Sequence, residues 1–210
     1  AKEIHRKSLI IDSHCDTPMK FTEGFNFGER HEEVKVDLPK MQEGQEDAVF
    51  MVAYLHQDAR DDESLQAATQ KAVDILYQIS EQVKLNEKQV GVAYNVDDLI
   101  YLKNAGKKAI FLAIENGYAI GKDLGNLSMF KDMGITYITL CHNGSNDICD
   151  SAKGEPEHNG LSDFGREVVK EMNRLGIIVD ISHASAKTVQ DVLEISNAPI
   201  IASHSSAKAL

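Results

Sequence analysis

Leu9-Ile10-Ile11-Asp12-Ser13-His14-Cys15-Asp16-Thr17-Pro18 passes from an apolar run into a polar cluster within one short stretch. The apolar residues Ser8 to Ile11 suit a strand buried on both faces, as in a parallel sheet. Side chains alternate along a strand, so His14 and Asp16 are expected to point the same way. Pro18 cannot donate to a ladder and ends it. An imidazole beside a carboxylate at a strand end is half of a site for zinc or a similar ion. A surface hydrogen bond would need the same two residues. The choice therefore depends on how the other strands end.

They end alike. Ala48 to Leu55 is a second apolar run, and Ala109 to Ile114 a third that stops at Glu115. Ile135 to Leu140 runs into His142, Ile177 to Ile181 into His183, and Pro199 to Ala202 into His204. Between them lie helical patterns. Leu65, Ala68, Ala72, Ile75, Leu76, Ile79 and Val83 form one stripe over residues 62–85. Asn95 with Asp98, Ser162 and Ser185 read as N-caps, and Gly106, Gly134 and Gly176 as helix stops. Thr17 to Asp47 and Asn143 to Leu161 read as long polar loops; His31 is expected to be a solvated loop histidine, His56 structural, and His158 without a specific role. Six strand-then-helix units with continuous apolar strands mean an α/β fold with a parallel sheet. No Gly-x-Gly-x-x-Gly follows the first strand, so a dinucleotide fold has no support. Six polar strand ends favour a (β/α)8 TIM-type barrel, which gathers them on one circle, over an open sheet. Residues 1–210 are expected to be a single domain with about six of the eight β/α units of such a barrel.

The chain has 210 residues, 42% hydrophobic and 26% charged, with a formal net charge of -11. That balance fits a globular domain and argues against a nucleic-acid partner. No apolar run is long enough to span a membrane. Cys15, Cys141 and Cys149 are too few for a disulfide scaffold and read as packing.

Five strand-end groups suit a two-metal site: His14 and Asp16 on one ion, His183 and His204 on the second, and Glu115 between them. Paired ions roughly 3.5–4 Å apart share a hydroxide and polarise a carbonyl. Four strand-end histidines with two carboxylates are hard to explain without cations.

Several stretches, in order, resemble the membrane (renal) dipeptidase family of zinc peptidases, within the amidohydrolase superfamily. They are Ile11-Asp12-Ser13-His14-Cys15-Asp16-Thr17-Pro18, Ala113-Ile114-Glu115-Asn116-Gly117 and Leu140-Cys141-His142-Asn143. Gly160-Leu161-Ser162-Asp163-Phe164-Gly165, Val168-Val169-Lys170-Glu171-Met172-Asn173, Asp180-Ile181-Ser182-His183-Ala184-Ser185 and Ser203-His204-Ser205 follow. The resemblance implies two zinc ions on His14, Asp16, Glu115, His183 and His204, with Glu115 bridging. It implies that His142 contacts the substrate and steadies the tetrahedral oxyanion, and that a hydroxide bridging the zinc ions attacks the peptide carbonyl. Dipeptides, often with a D-residue at the C-terminal position, are the implied substrates, and some members open β-lactams. It also implies an arginine that grips the substrate carboxylate and an aspartate that shuttles a proton, both beyond residue 210. A homodimer, and a second chain supplying the remaining strands, are the expected partners. The chain begins at Ala1 rather than Met, and an exported or periplasmic setting is expected over a cytoplasmic one. Another amide or lactam hydrolase on the same barrel, and a non-catalytic metal-binding fragment, remain as alternatives.

Overall fold

The computed structural model describes residues 2–21 and 24–207, apart from the side chains of Lys2 and Arg6. Its elements in chain order are α1 (Lys2–Lys7), β1 (Ile11–Cys15), a 3-10 turn (Thr17–Lys20), α2 (Leu38–Gly44), β2 (Ala48–Tyr54) and α3 (Asp62–Leu85). Then come β3 (Val90–Val92), α4 (Val96–Asn104), β4 (Lys108–Glu115), a second 3-10 turn (Gly117–Ile120), α5 (Gly125–Asp132) and β5 (Ile135–Thr139). The last are α6 (Asp163–Leu175), β6 (Ile178–Asp180) and α7 (Ala186–Ile195). Contacts divide the chain into two compact units. Unit 1 is Ala1–Ala53 with Asp74–Ala113, and unit 2 is Tyr54–Val73 with Ile114–Leu210. The division falls inside β2, α3 and β4. Among the described residues no helix is long and apolar enough to cross a membrane.

In unit 1, β1 pairs in parallel with β2, and β3 pairs in parallel with β4. The apolar strands pack Ala48, Ala109 and Phe111 against Ala93, Leu99 and Leu102 beside α4. Phe50 and Phe111 stack at 4.7 Å. Asn95 caps α4 as expected, its side chain accepting from the Asp98 N–H.

Several expectations need correction here. β1 starts at Ile11 rather than Ser8, and it is not buried on both faces, since Leu9 and Ile11 are 43% and 44% exposed. Its register on β2 slips between Asp12 and Cys15. Such a bulge breaks the alternation on which the facing of His14 and Asp16 was inferred. Residues 17–47 are not all loop, because Asp37 caps α2 through the Lys40 N–H. Pro39 lies in that helix's first turn, where a missing N–H costs nothing. His31 is half-buried rather than solvated, stacked on Phe25 at 4.1 Å with Nε2 2.8 Å from the Asn26 carbonyl.

In unit 2, β5 and β6 pair in parallel, with Thr139 opposite Asp180. The Ser162 and Ser185 hydroxyls accept from the Gly165 and Thr188 N–H groups and so start α6 and α7. The expected sixth strand is reduced to one bridge, Asp180 to Ile201. Pro199 has no N–H for a longer ladder. The segment after β5 has no helix, yet it is tightly organised. The Asp150 carboxylate accepts from the N–H groups of Glu157, His158 and Gly160. The buried Asn146 side chain donates to the Leu140 carbonyl and accepts from the Ile148 and Cys149 N–H groups. A Cβ at Gly165 would stand 2.0 Å from the Ile148 carbonyl oxygen, so only glycine lets this loop lie on α6. His158, expected to have no specific role, ties this loop together, with Nε2 2.8 Å from the Asn146 carbonyl. All three cysteines are free and buried.

Candidate metal centre

Unit 2 gathers four of the six expected site residues. Glu115 is the last residue of β4, 3% exposed at the end of a wholly apolar run. A carboxylate there is costly without cationic or donor partners. Its Oε1 lies 3.0 Å from His183 Nε2, 3.2 Å from His204 Nε2 and 4.0 Å from His142 Nε2. The two nitrogens Nε2 of His183 and His204 are 2.8 Å apart. Glu115, His142 and His183 together form a group with metal-ligand spacing. One carboxylate oxygen and two imidazole nitrogens converging on a single point are a donor set for a divalent ion of the zinc type.

The backbone works to place these groups. His183 has φ +65, the left-handed conformation that β-carbon sterics disfavour. Its carbonyl accepts from the Ala152 N–H at 2.8 Å, which helps hold the turn. Asn116, next to Glu115, has φ +83, and its side chain donates to the Leu55 carbonyl and accepts from Asn146. Non-glycine residues in this region cluster at functional sites. Burial pushes the His183 imidazole below its ordinary pKa, against the opposing pull of the Glu115 charge. A neutral ring is the form that binds metal.

Tyr54, the last residue of β2, packs edge-on against His142 with ring centroids 4.9 Å apart. Its hydroxyl is 3.4 Å from His142 Nδ1. Beneath His183 and His204 the Asp180 carboxylate is wholly buried and joined to Thr139, Ser182 and Ser203. Sequence reasoning assigned no role to Tyr54 or to Asp180. Asp180 was discoverable, being an acidic residue at the end of an apolar strand, the same signal that marked Glu115.

Unit 1 holds the other two residues. His14 Nε2 lies 3.3 Å from Asp16 Oδ1. The bond does not come from strand alternation. β1 has ended at Cys15, and Asp16 is the N-cap of the 3-10 turn, with φ −91 and ψ 12 rather than extended angles. The His14 side chain is 8% exposed and that of Asp16 is 51% exposed. A hollow of about 400 Å³ beside them is lined by Asp12, Cys15, Thr17, Glu33 and Lys35 among others.

Comparison with known proteins fits this geometry. The sequence model of the membrane dipeptidase family, peptidase family M19, matches residues 1–210. The chain belongs to that family. Dipeptidase tcpJ of Claviceps purpurea (strain 20.1) is 38% identical over 184 residues, which are 83% of this chain and 42% of that protein. Dipeptidase verJ of Clonostachys rogersoniana is 33% identical over 216 residues, 94% of this chain and 54% of that one. The chain thus spans about half the length of the curated relatives it matches. The crystal structure of the probable dipeptidase PvdM from Pseudomonas aeruginosa superposes on the whole chain. The TM-score is 0.91 at 28% identity, and the match covers 55% of that structure. The fold class is therefore the α/β TIM-type barrel expected from the strand ends, represented here in part.

Proposed function

We propose that this chain carries the metal-binding part of a zinc dipeptidase. Glu115, His183 and His204, which converge within unit 2, are the ligands it rests on, and His14 and Asp16 keep the ligand role that the family resemblance implies. The bridging role that the family resemblance gives Glu115, and the reading of residues 1–210 as one hydrolase domain, belong to the same proposal. The observation that carries it is the convergence of His183 Nε2 and His204 Nε2 on Glu115 Oε1 at 3.0 and 3.2 Å. Membership of a dipeptidase family supports peptide hydrolysis as the reaction class.

Two divalent ions, when bound, lower the pKa of a shared water and polarise the scissile carbonyl. The residues of the chain do the rest. His142 does not close on Glu115 as the other two histidines do, and stays 4.0 Å away. In this reading its Nε2 donates to the oxygen on which negative charge develops. Tyr54, on the Nδ1 side of the ring, holds the imidazole at that angle. Glu115, buried among imidazoles, is the group at the reacting centre able to take a proton from the attacking water.

The test is hydrolysis of dipeptides by the purified protein, with metal content determined on the same sample. Turnover that a chelator abolishes and zinc restores is the expected result. Bound zinc with hydrolysis of a lactam or another amide but of no dipeptide overturns the substrate reading. Bound zinc with no hydrolysis at all places the chain among non-catalytic metal-binding proteins.

A further inference from the structure

The polar groups beneath His204 carry an inference that rests on the metal-centre reading above. The Asp180 carboxylate, 0% exposed at the end of β6, accepts hydrogen bonds on both oxygens. Oδ1 accepts from the Ser182 N–H at 3.0 Å, the Ser182 hydroxyl at 2.8 Å and the Ser203 N–H at 3.0 Å. Oδ2 accepts from the hydroxyls of Thr139 and Ser203, each at 2.6 Å. A carboxylate only accepts, so each of these three hydroxyls gives it its single hydrogen. The 3.3 Å approach of the two serine oxygens then carries no proton.

Ser203 Oγ also lies 2.8 Å from His204 Nδ1. With its hydrogen committed to Asp180, Ser203 offers that nitrogen a lone pair and nothing else. The hydrogen of this second bond must come from the ring. His204 therefore carries a proton on Nδ1, and in the neutral ring, the form that binds metal, Nε2 is then bare. Nε2 is the nitrogen that faces Glu115 Oε1 and His183 Nε2. The same carboxylate also fixes the main chain of His204, because the Ser182 oxygen accepts from the His204 N–H at 3.1 Å while donating to Asp180.

We propose that Asp180 and Ser203 form a positioning relay, carboxylate to hydroxyl to imidazole, that locks His204 in the Nδ1–H tautomer and presents Nε2 to a metal ion. An imidazole without such a partner populates both tautomers and more ring orientations, and metal sites lose affinity when this outer support is removed. The neighbouring Thr139 and Ser182 hydroxyls saturate the carboxylate, so that it cannot turn away from Ser203.

The test uses the purified protein with its histidines labelled with nitrogen-15. In the metal-free native protein, the Nδ1 resonance of His204 is expected in the protonated, pyrrole-type range and Nε2 in the bare, pyridine-type range. Ser203→Ala is expected to average the two resonances. Zinc affinity, measured by competition with a chromophoric chelator, should fall about 10- to 100-fold. Ser203→Thr, which keeps the oxygen, should restore both. A bare Nδ1 in the native protein overturns the relay, and this reading needs no variant to fold. So does a Ser203→Ala protein with unchanged tautomer and unchanged affinity. A native protein that shows the expected tautomer but binds no zinc leaves the relay standing and sinks the metal-centre reading instead.

Discussion

The tips of β1 and β6 share a local pattern and differ in what surrounds it. In each, an aspartate accepts from the N–H two residues on: Asp12 from His14 at 3.0 Å, Asp180 from Ser182 at 3.0 Å. At the β6 tip the carboxylate is fully buried, and donors from three separate segments converge on it. At the β1 tip Asp12 is half-buried beside a register slip, and the pair His14–Asp16 opens to solvent through Asp16. Donor-saturated burial fixes a histidine closely, whereas a short turn at a half-exposed strand end leaves its orientation to whatever binds there.

The largest effect should come from Glu115, on which the imidazoles of His183 and His204 converge. Glu115→Gln keeps the shape and removes the charge. Dipeptide kcat/KM is expected to fall on the order of 1,000-fold, about 4 kcal/mol of transition-state stabilisation, with loss of bound zinc. Retained zinc and near-native turnover would remove Glu115 from the centre.

Next in size is Asp180→Asn, which turns one oxygen into an NH₂ group facing hydroxyl donors. Stability should drop by about 3 kcal/mol in denaturant titration, and zinc affinity by about 10- to 100-fold. Asp12→Asn is the matched control, since an amide oxygen can still accept from the His14 N–H. It should cost under about 1 kcal/mol and change zinc affinity by less than about threefold. Equal effects at Asp12 and Asp180 would break the contrast between the two tips.

The smallest effect concerns a unit 1 carboxylate with the opposite environment to Asp180. Glu46 Oε1 is buried with no hydrogen-bond partner among the described residues. Burial, reinforced by the charge of Asp12, pushes its pKa from an ordinary 4.5 up to about 7. The folded state then holds a proton that the unfolded chain has released. Stability is greatest below about pH 4.5 and declines as the pH rises through about 7. Glu46→Gln should leave stability unchanged at pH 4 and raise it by about 1 kcal/mol at pH 8, allowing for the partial solvent screening of this side chain. Denaturant titrations at the two values check this, and a gain at pH 4 of the same size would contradict it.

Much of the fold was legible because the apolar runs are long and the caps local. β2, β4 and β5 follow from continuous hydrophobic stretches, and Asn95, Ser162 and Ser185 cap helices through bonds three residues long. Val90–Val92 escaped notice because a three-residue strand with Gly91 in the middle has no hydrophobic pattern of its own. Helix α2 was hidden by Pro39, which punctuates a chain whether it ends an element or begins one. At the site, Glu115, His142 and His183 were legible as polar residues following apolar runs, and unit 2 brings them together. Asp180 carried the same signal, but its partners were not legible. Asp180 meets Thr139 and Ser203 across 41 and 23 positions of chain, a nonlocal arrangement that no spacing announces. The slip in β1 was invisible for a similar reason, since register belongs to a pair of strands and not to either one.

His183 has one more consequence. A histidine held at φ +65 sits on a conformation costing about 1–2 kcal/mol relative to ordinary helical or extended backbone. Glycine would occupy it without cost, but would leave the turn with no imidazole. The position is therefore one where robustness and chemistry pull apart: a glycine there would relieve the turn at the expense of the imidazole that faces Glu115.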